Sequence, residues 1–335
     1  MAEARPPRVG DLFLALWRLS RPEAWMVSVL PLYVGHVLAT RELVPGLAAW
    51  AAFWAKASGQ GATAGEFWAT LMAWLHAATP LMLAMLALGP LAWTATLLIN
   101  DVHDLPADRS NPRKARSPLV QGIVSAGWAH RAAYVFAVLA VGVGLAVNWR
   151  FALLVAACLA LAWLYSVPPV RLKTRPGSDL AVNALGIGLL SGVAGWSITA
   201  SPASFPWPFA PQGLLVAAAI YVPTTLVDHD ADLRAGYSTL ATHLGPRRAY
   251  LVGWWSWVLC NVGALALSWN GLYIPRAMFP LLLIFVPLLL FEYHQLIGRA
   301  TSSVERVKGI FVCSATFLAV NLVFALMYTG LWKPG

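Results

Sequence analysis

Long apolar runs alternate with short polar connections along almost the whole chain. The runs lie near 24–39, 79–100, 129–148, 151–167, 180–199, 213–228, 249–268, 278–297 and 309–330. Each is close to the roughly 20 residues that a helix needs to cross a bilayer. Internal prolines (Pro31, Pro90, Pro223 and Pro287) predict kinks rather than breaks, because neighbouring helices satisfy the freed carbonyls. Ahead of the first run, residues 11–20 place Leu12, Leu16 and Leu19 near one helical face, with Phe13 and Trp17 beside it. That is the pattern of a helix lying at the membrane surface. The first run is followed by no small-residue cleavage site, so it is expected to remain as a span. The pattern predicts an all-α polytopic membrane protein with nine transmembrane helices. Residues 1–23 would be an N-terminal tail and interfacial helix, and 24–331 a single membrane domain.

Composition sharpens this picture. Hydrophobic residues make up 59% of the chain and charged residues 11%, against about 25% charged in an average soluble domain. A soluble enzyme is excluded on that ground. Three cysteines (Cys158, Cys260 and Cys313) each lie inside an apolar run without metal-ligand spacing, and read as small core residues. The net charge of +9 does not point to nucleic acid, because the basic residues sit in short loops between apolar runs. With the N-terminus placed in the cytoplasm, eighteen Lys and Arg, from Arg5 and Arg8 to Lys308, fall on that side. Five (Arg41, Lys56, Arg150, Arg276 and Lys333) fall on the other. This bias predicts N-terminus in and C-terminus out, as in a bacterial inner membrane. One connection is long: residues 40–78, on the outer side, where Leu47–Lys56 and Glu66–His76 predict two short interfacial helices around Ser58-Gly59-Gln60-Gly61. The inner loops of interest cover 100–127 and 228–247.

Two acidic clusters stand where apolar runs meet water. Asn100-Asp101-Val102-His103-Asp104-Leu105-Pro106-Ala107-Asp108 closes the second run, and Asp228-His229-Asp230-Ala231-Asp232 closes the sixth. Carboxylates in that setting are costly unless a cation neutralises them, and at a helix C-terminus they also oppose the helix dipole. Two such clusters on one face predict a shared metal site. Asn100, Asp104 and Asp108 recur at intervals of four and would share one face of a helix. Pro106 predicts that the helix ends or bends near His103–Leu105, leaving Asp108 on a loop. An all-oxygen ligand set favours magnesium over zinc, and magnesium completes its shell with substrate phosphates. Arg113, Lys114, Arg116, Arg171, Lys173 and Arg234 crowd the same face. The topological charge bias accounts for some of these; together with the acids they describe a pocket for a metal-bound diphosphate. No GxxxxGK[ST] loop is present to hold ATP. Inside the spans, Glu292 and His294 are either functional or paired with loop arginines. Gly188, Gly192 and Gly195 predict close helix packing.

These residues carry a resemblance. INDVHDLPAD resembles the first Asp-rich motif of the UbiA superfamily of intramembrane prenyltransferases, and DHDADLRAGYSTLATHLG resembles its second. YSVPPVRLK (Tyr165–Lys173) resembles that family's segment after the fourth helix. The resemblance implies nine helices around a central cavity with cytoplasmic cap loops, in which two Mg2+ ions hold a prenyl diphosphate. By motif position Asn100, Asp104 and Asp108 would serve one ion, and Asp228 and Asp232 the other, with Asp101 and Asp230 in support. Arg116, Lys173, Arg234 and Ser166 would hold the diphosphate, with Tyr165 near the reacting carbon and Asp104, Asp228 and Tyr165 as the catalytic set. The implied activity is transfer of a prenyl group to a lipophilic acceptor: an aromatic, a quinone precursor, a tetrapyrrole alcohol or an isoprenoid. One rival is a terpene cyclase on the same fold, where the donor's own double bonds attack the cation. Another is an ion-coupled transporter, which requires acidic residues near mid-membrane, whereas these sit at one face.

Overall fold

The computed structural model describes residues 9–109, 111 and 114–333 and shows helices and turns, with no strand among them. Arg5, Arg8 and Arg113 lie outside the described residues. A surface helix α1 (Val9–Ser20) leads through Arg21 into α2 (Pro22–Thr40). A hairpin follows, formed by α3 (Leu47–Gly59) and α4 (Ala64–Leu86). A π-helical turn at Ala87–Leu91 carries α4 without interruption into α5 (Ala92–Asp108). Next come α6 (Ala126–Val147) and α7 (Trp149–Ser166). The fifth apolar run folds as α8 (Ser178–Asn183) and α9 (Ser191–Ser197), joined by a π-helical turn at Ala184–Leu190. The chain then forms α10 (Ala210–Arg234), the short α11 (Leu240–Leu244), α12 (Pro246–Asn270), α13 (Phe279–Glu292) and α14 (Ser303–Tyr328).

Among the described residues, eight helices are long and apolar enough to cross a membrane. The ninth expected span, α2, is helical but falls outside that set, because Glu23, Pro31, Tyr33 and His36 dilute its apolar character. It belongs to the bundle nonetheless, since it packs along α9. The hairpin also departs from expectation. Thr63 and Glu66 form a reciprocal cap at the start of α4, and Lys56 pairs with Glu66 across the hairpin. The helix does not stop at His76, however: Pro80 is absorbed within α4, and Ala64–Asp108 forms one 45-residue unit.

Close packing needs the glycines. A side chain on Gly195 would run into the Leu32 carbonyl, and one on Gly35 into that of Gly192, so α2 and α9 approach backbone to backbone. Gly188 and Gly213 bring the π-helical turn and α10 together in the same way. Asn148 separates α6 from α7 by taking extended backbone. Its Oδ1 accepts the Phe151 amide (2.9 Å) to cap α7, and its Nδ2 donates to the carbonyls of Ser197 (2.9 Å) and Ile198 (3.2 Å). At the end of the bundle where α2 and α14 finish, Tyr328 Oη donates to the Leu38 carbonyl (3.0 Å) and Arg41 lies over the Tyr328 ring. Arg21, at the start of α2, and the C-terminal ends of α5, α7 and α10 meet at the other end.

Candidate active site

The last three turns of α5 form the floor of the site. Contrary to the expected break, the helix continues through Pro106, and Asp108 is its final residue. Proline removes one amide donor, and here that loss falls in the last turns of a helix at the edge of the apolar region, so the helix survives it. Asn100, Asp104 and Asp108 therefore lie in register on one face. Asn100 Nδ2 donates to Asp104 Oδ2 at 3.1 Å.

A cation already sits among these oxygens. Lys173, on a 3-10 turn (Leu172–Thr174) just after α7, is 8% exposed. Its Nζ donates to Asn100 Oδ1 at 2.8 Å and to both Asp104 oxygens at 2.6 Å. Arg171 adds a second contact to Asp104 at 2.9 Å. Burial pushes the Lys173 ammonium below the ordinary lysine range, and the neighbouring Asp104 pulls it back up. Ser166, fully buried at the end of α7, donates to Asn100 Oδ1 at 3.2 Å. The segment Tyr165–Lys173 thus packs directly on the first acidic motif.

Asp101 points elsewhere. It is 2% exposed and takes a close ion pair from Arg21 (2.6 Å), with Lys114 at 3.4 Å. Lys114 also reaches Asp108 at 3.3 Å and so bridges the two carboxylates.

The second cluster stands at the same end. Asp228 and Asp232 are half-buried in the last turns of α10, while Asp230 is exposed and pairs with His229 (3.0 Å). The stretch around them is tied to the Tyr165–Lys173 segment on both sides. Before it, Tyr221 Oη meets Tyr165 Oη at 3.2 Å. After it, Tyr237 Oη accepts from Arg171 at 3.1 Å, and the guanidinium lies 5.1 Å from the centre of its ring. Burial raises the Tyr237 phenol above its usual range; Asp104 adds to this and Arg171 opposes it. Arg171 therefore touches both Asp104 and the loop that follows the second motif. Buried Asp179 holds that loop further along, accepting the Leu240 amide at 3.0 Å.

Arg116 and Arg234 are exposed, in the loop after α5 and at the last residue of α10. Asp104 takes its cations from Lys173 and Arg171 instead. Glu292 accepts from Thr316 (3.2 Å) between packed helices, and the exposed His294 lies 3.0 Å from Tyr250 Oη. Sequence reasoning missed Tyr221, Tyr237 and Asp179, and read Arg21 only as a topological charge. Tyr237 lies inside the second motif-like stretch, which was the one available signal. The others depend on contacts between distant helices.

The donor set suits a hard cation. Among the described residues no three His, Cys, Asp or Glu side chains stand close enough to enclose an ion alone. Magnesium needs no such cage, since it typically uses one or two carboxylates and completes its shell with water and phosphate oxygens. The Lys173 ammonium shows that the oxygens of Asn100 and Asp104 already converge on a single positive centre.

The chain is 31% identical over 267 residues to a lycopene elongase/hydratase of Haloferax volcanii, covering 78% of this chain and 75% of that protein. A lycopene elongase/hydratase of Halobacterium salinarum is 30% identical over 248 residues, 70% of this chain and 78% of that protein. The fold superimposes on a UbiA homolog from Archaeoglobus fulgidus solved with GPP and Mg2+, with a TM-score of 0.67, 21% identity and coverage of 93% of this chain and 99% of that one. Residues 61–314, from the start of the long second span to the middle of the last helix, match the UbiA prenyltransferase family, and the chain belongs to it.

Proposed function

We propose that this prenyltransferase moves a prenyl group from a prenyl diphosphate to a linear isoprenoid hydrocarbon, using two magnesium ions. The observation that carries the reading is the convergence of Asn100 Oδ1 and both Asp104 oxygens on one cationic nitrogen, with Arg171 alongside. Asn100, Asp104 and Asp108 would hold one ion, and Asp228 and Asp232 the other. The magnesium ions, when bound, neutralise charge on the departing diphosphate.

The remaining steps belong to the protein. Lys173 and Arg171 exchange their carboxylate partners for diphosphate oxygens, with Arg116, Arg234 and Ser166 supplying further donors. Asp101, held by Arg21 and Lys114, keeps α5 in place, and Asp230 supports α10. The allylic C–O bond breaks with its electron pair leaving on the diphosphate. A double bond of the acceptor attacks the cation beside Tyr165, and the adduct then loses a proton. The apolar helices around the site exclude water from the cation until it is captured. The hydrocarbon acceptor is supported by the relatives named for lycopene elongation. The excess of basic residues at this end favours a cytoplasmic site.

The test uses purified protein, dimethylallyl diphosphate and lycopene. Wild type should form elongated product only with magnesium, and Asp104→Ala or Asp228→Ala should abolish turnover while the protein still inserts and folds. Full activity in either variant, or in the presence of chelator, overturns the mechanism. Hydrocarbon made from prenyl diphosphates alone would instead identify a cyclase.

A further inference from the structure

Two tyrosines from different helices meet beneath the carboxylates. Tyr221 precedes Asp228 by seven residues and Asp232 by eleven on α10. At about 3.6 residues per turn these spacings are close to two and three whole turns, so the three side chains share one face. Tyr221 stands about 11 Å deeper along the helix than Asp228. Its hydroxyl lies 3.2 Å from that of Tyr165, the residue before Ser166 at the end of α7. α7 and α10 both pack on the π-helical turn Ala184–Leu190 between them, and the two hydroxyls meet past it. Each is within electrostatic reach of one acidic motif, Tyr165 of Asp104 and Tyr221 of Asp232. Both side chains are half-buried.

The turn that carries Tyr221 is fixed from several sides. Pro223, inside α10, has no amide to offer the Ala219 carbonyl. Buried Tyr293 donates its hydroxyl to that carbonyl instead, at 2.8 Å. Thr224 Oγ1 donates to the carbonyl of Tyr221 (2.6 Å) and Thr225 Oγ1 to that of Val222 (2.8 Å). On the far side of the pair, Asn183 stands beside the Tyr165 hydroxyl. Its Nδ2 donates to the Asp179 carbonyl at 2.8 Å.

We propose that Tyr221 is a catalytic residue of the prenyl transfer, whose hydroxyl oxygen stabilises positive charge on the donor's allylic carbon. The inference rests on the prenyl-transfer reading and adds a residue of α10 to the reacting end of the donor. A diphosphate held at the carboxylates extends its prenyl chain into the apolar interior, and Tyr221 stands on that path. Hydrogen bonds run from Tyr221 to Tyr165 and on to Asn183 Oδ1, because Asn183 spends its Nδ2 on Asp179. Both phenol protons then point away from the donor, and a lone pair of Tyr221 is left facing it. When the allylic C–O bond breaks, its electron pair leaves on the diphosphate and the carbon becomes positive; no bond forms to the tyrosine. A dipole fixed in advance is most effective where charge develops in a site that excludes water. The ring face adds a cation–π attraction. Asn183 is a positioning residue that acts through Tyr165.

Diphosphate release from dimethylallyl diphosphate and magnesium, without acceptor, reports the bond-breaking step. Tyr221→Phe, which keeps the ring and loses the oxygen, should lower kcat for release roughly 10- to 100-fold, with KM for the donor within about twofold of wild type. Asn183→Leu should lower kcat by roughly three- to tenfold. The double variant should lose no more than Tyr221→Phe alone, because both changes cut one chain of hydrogen bonds. Losses that multiply in the double variant overturn the proposal. So does a wild-type kcat in Tyr221→Phe, and a changed product from lycopene at that unchanged kcat would make Tyr221 a proton acceptor instead. Should Tyr221→Phe not be recovered folded, Asn183→Leu decides, and a wild-type kcat there overturns the proposal. The prenyl-transfer reading fails separately. Wild type that releases diphosphate but leaves lycopene unaltered removes the hydrocarbon acceptor, while the kcat comparison still decides Tyr221. Wild type inert toward dimethylallyl, geranyl and farnesyl diphosphates overturns both.

Discussion

Lys173 concentrates the electrostatics of the site in one side chain. Its ammonium is nearly buried, yet it satisfies Asn100 and both oxygens of Asp104 at once. Hydrogen bonds to charged groups contribute about 1.5–3 kcal/mol, and each 1.4 kcal/mol is a factor of ten in rate or affinity. Lys173→Ala is therefore expected to lower kcat/KM for the diphosphate donor by roughly 10- to 100-fold. Lys173→Arg should recover part of that loss, because it keeps the charge but not the point geometry. Arg171 makes a different contribution, since it holds Asp104 and Tyr237 together. Steady-state kinetics with varied donor separate these roles: unchanged kcat/KM in Lys173→Ala would remove Lys173 from the diphosphate site.

At the scale of helices, backbone approach decides what the bundle tolerates. A methyl on Gly195 would collide with the Leu32 carbonyl of α2, which cannot swing aside as a side chain would. Overpacking of this kind costs typically 1–3 kcal/mol. Gly195→Ala should lower the melting temperature in detergent by several degrees, whereas Gly186→Ala, whose added carbon meets nothing within 4 Å, should leave it unchanged. The small-residue spacing around Gly188, Gly192 and Gly195 was legible in the sequence because a side chain's absence is a local fact. The partners, Gly35, Leu32 and Gly213, were not, because they sit on helices far away in the chain. The same division holds at the site. Spacing of four put Asn100, Asp104 and Asp108 on one face, while Pro106 suggested a break that local rules favour and the structure does not show. Tyr237 reached Arg171 only through the fold. Apolar periodicity also placed the hairpin helices correctly but ended the second one at His76, since nothing in a run of apolar residues reveals whether it continues as one rod.

The whole molecule has two unlike ends. One carries Arg21, Lys114, Arg171 and Lys173 against the first acidic cluster, with the second cluster at the same end. The other carries Arg41 over Tyr328 and the projecting hairpin with its self-neutralising Lys56–Glu66 pair. Translocating the first end would carry its many basic residues, exposed Arg116, Arg175 and Arg234 among them, across the bilayer during insertion, which the positive-inside bias argues against. The helical bundle fixes which positions share an end, so two labels suffice to orient it. Arg175 lies exposed just beyond Lys173, and Gln60 lies exposed at the hairpin tip. In a variant lacking Cys158, Cys260 and Cys313, Gln60→Cys should react with a membrane-impermeant maleimide added to intact cells, and Arg175→Cys only after permeabilisation. The reverse pattern would put the acidic motifs on the outer surface, away from cytoplasmic prenyl diphosphates, and would be incompatible with the proposed reaction.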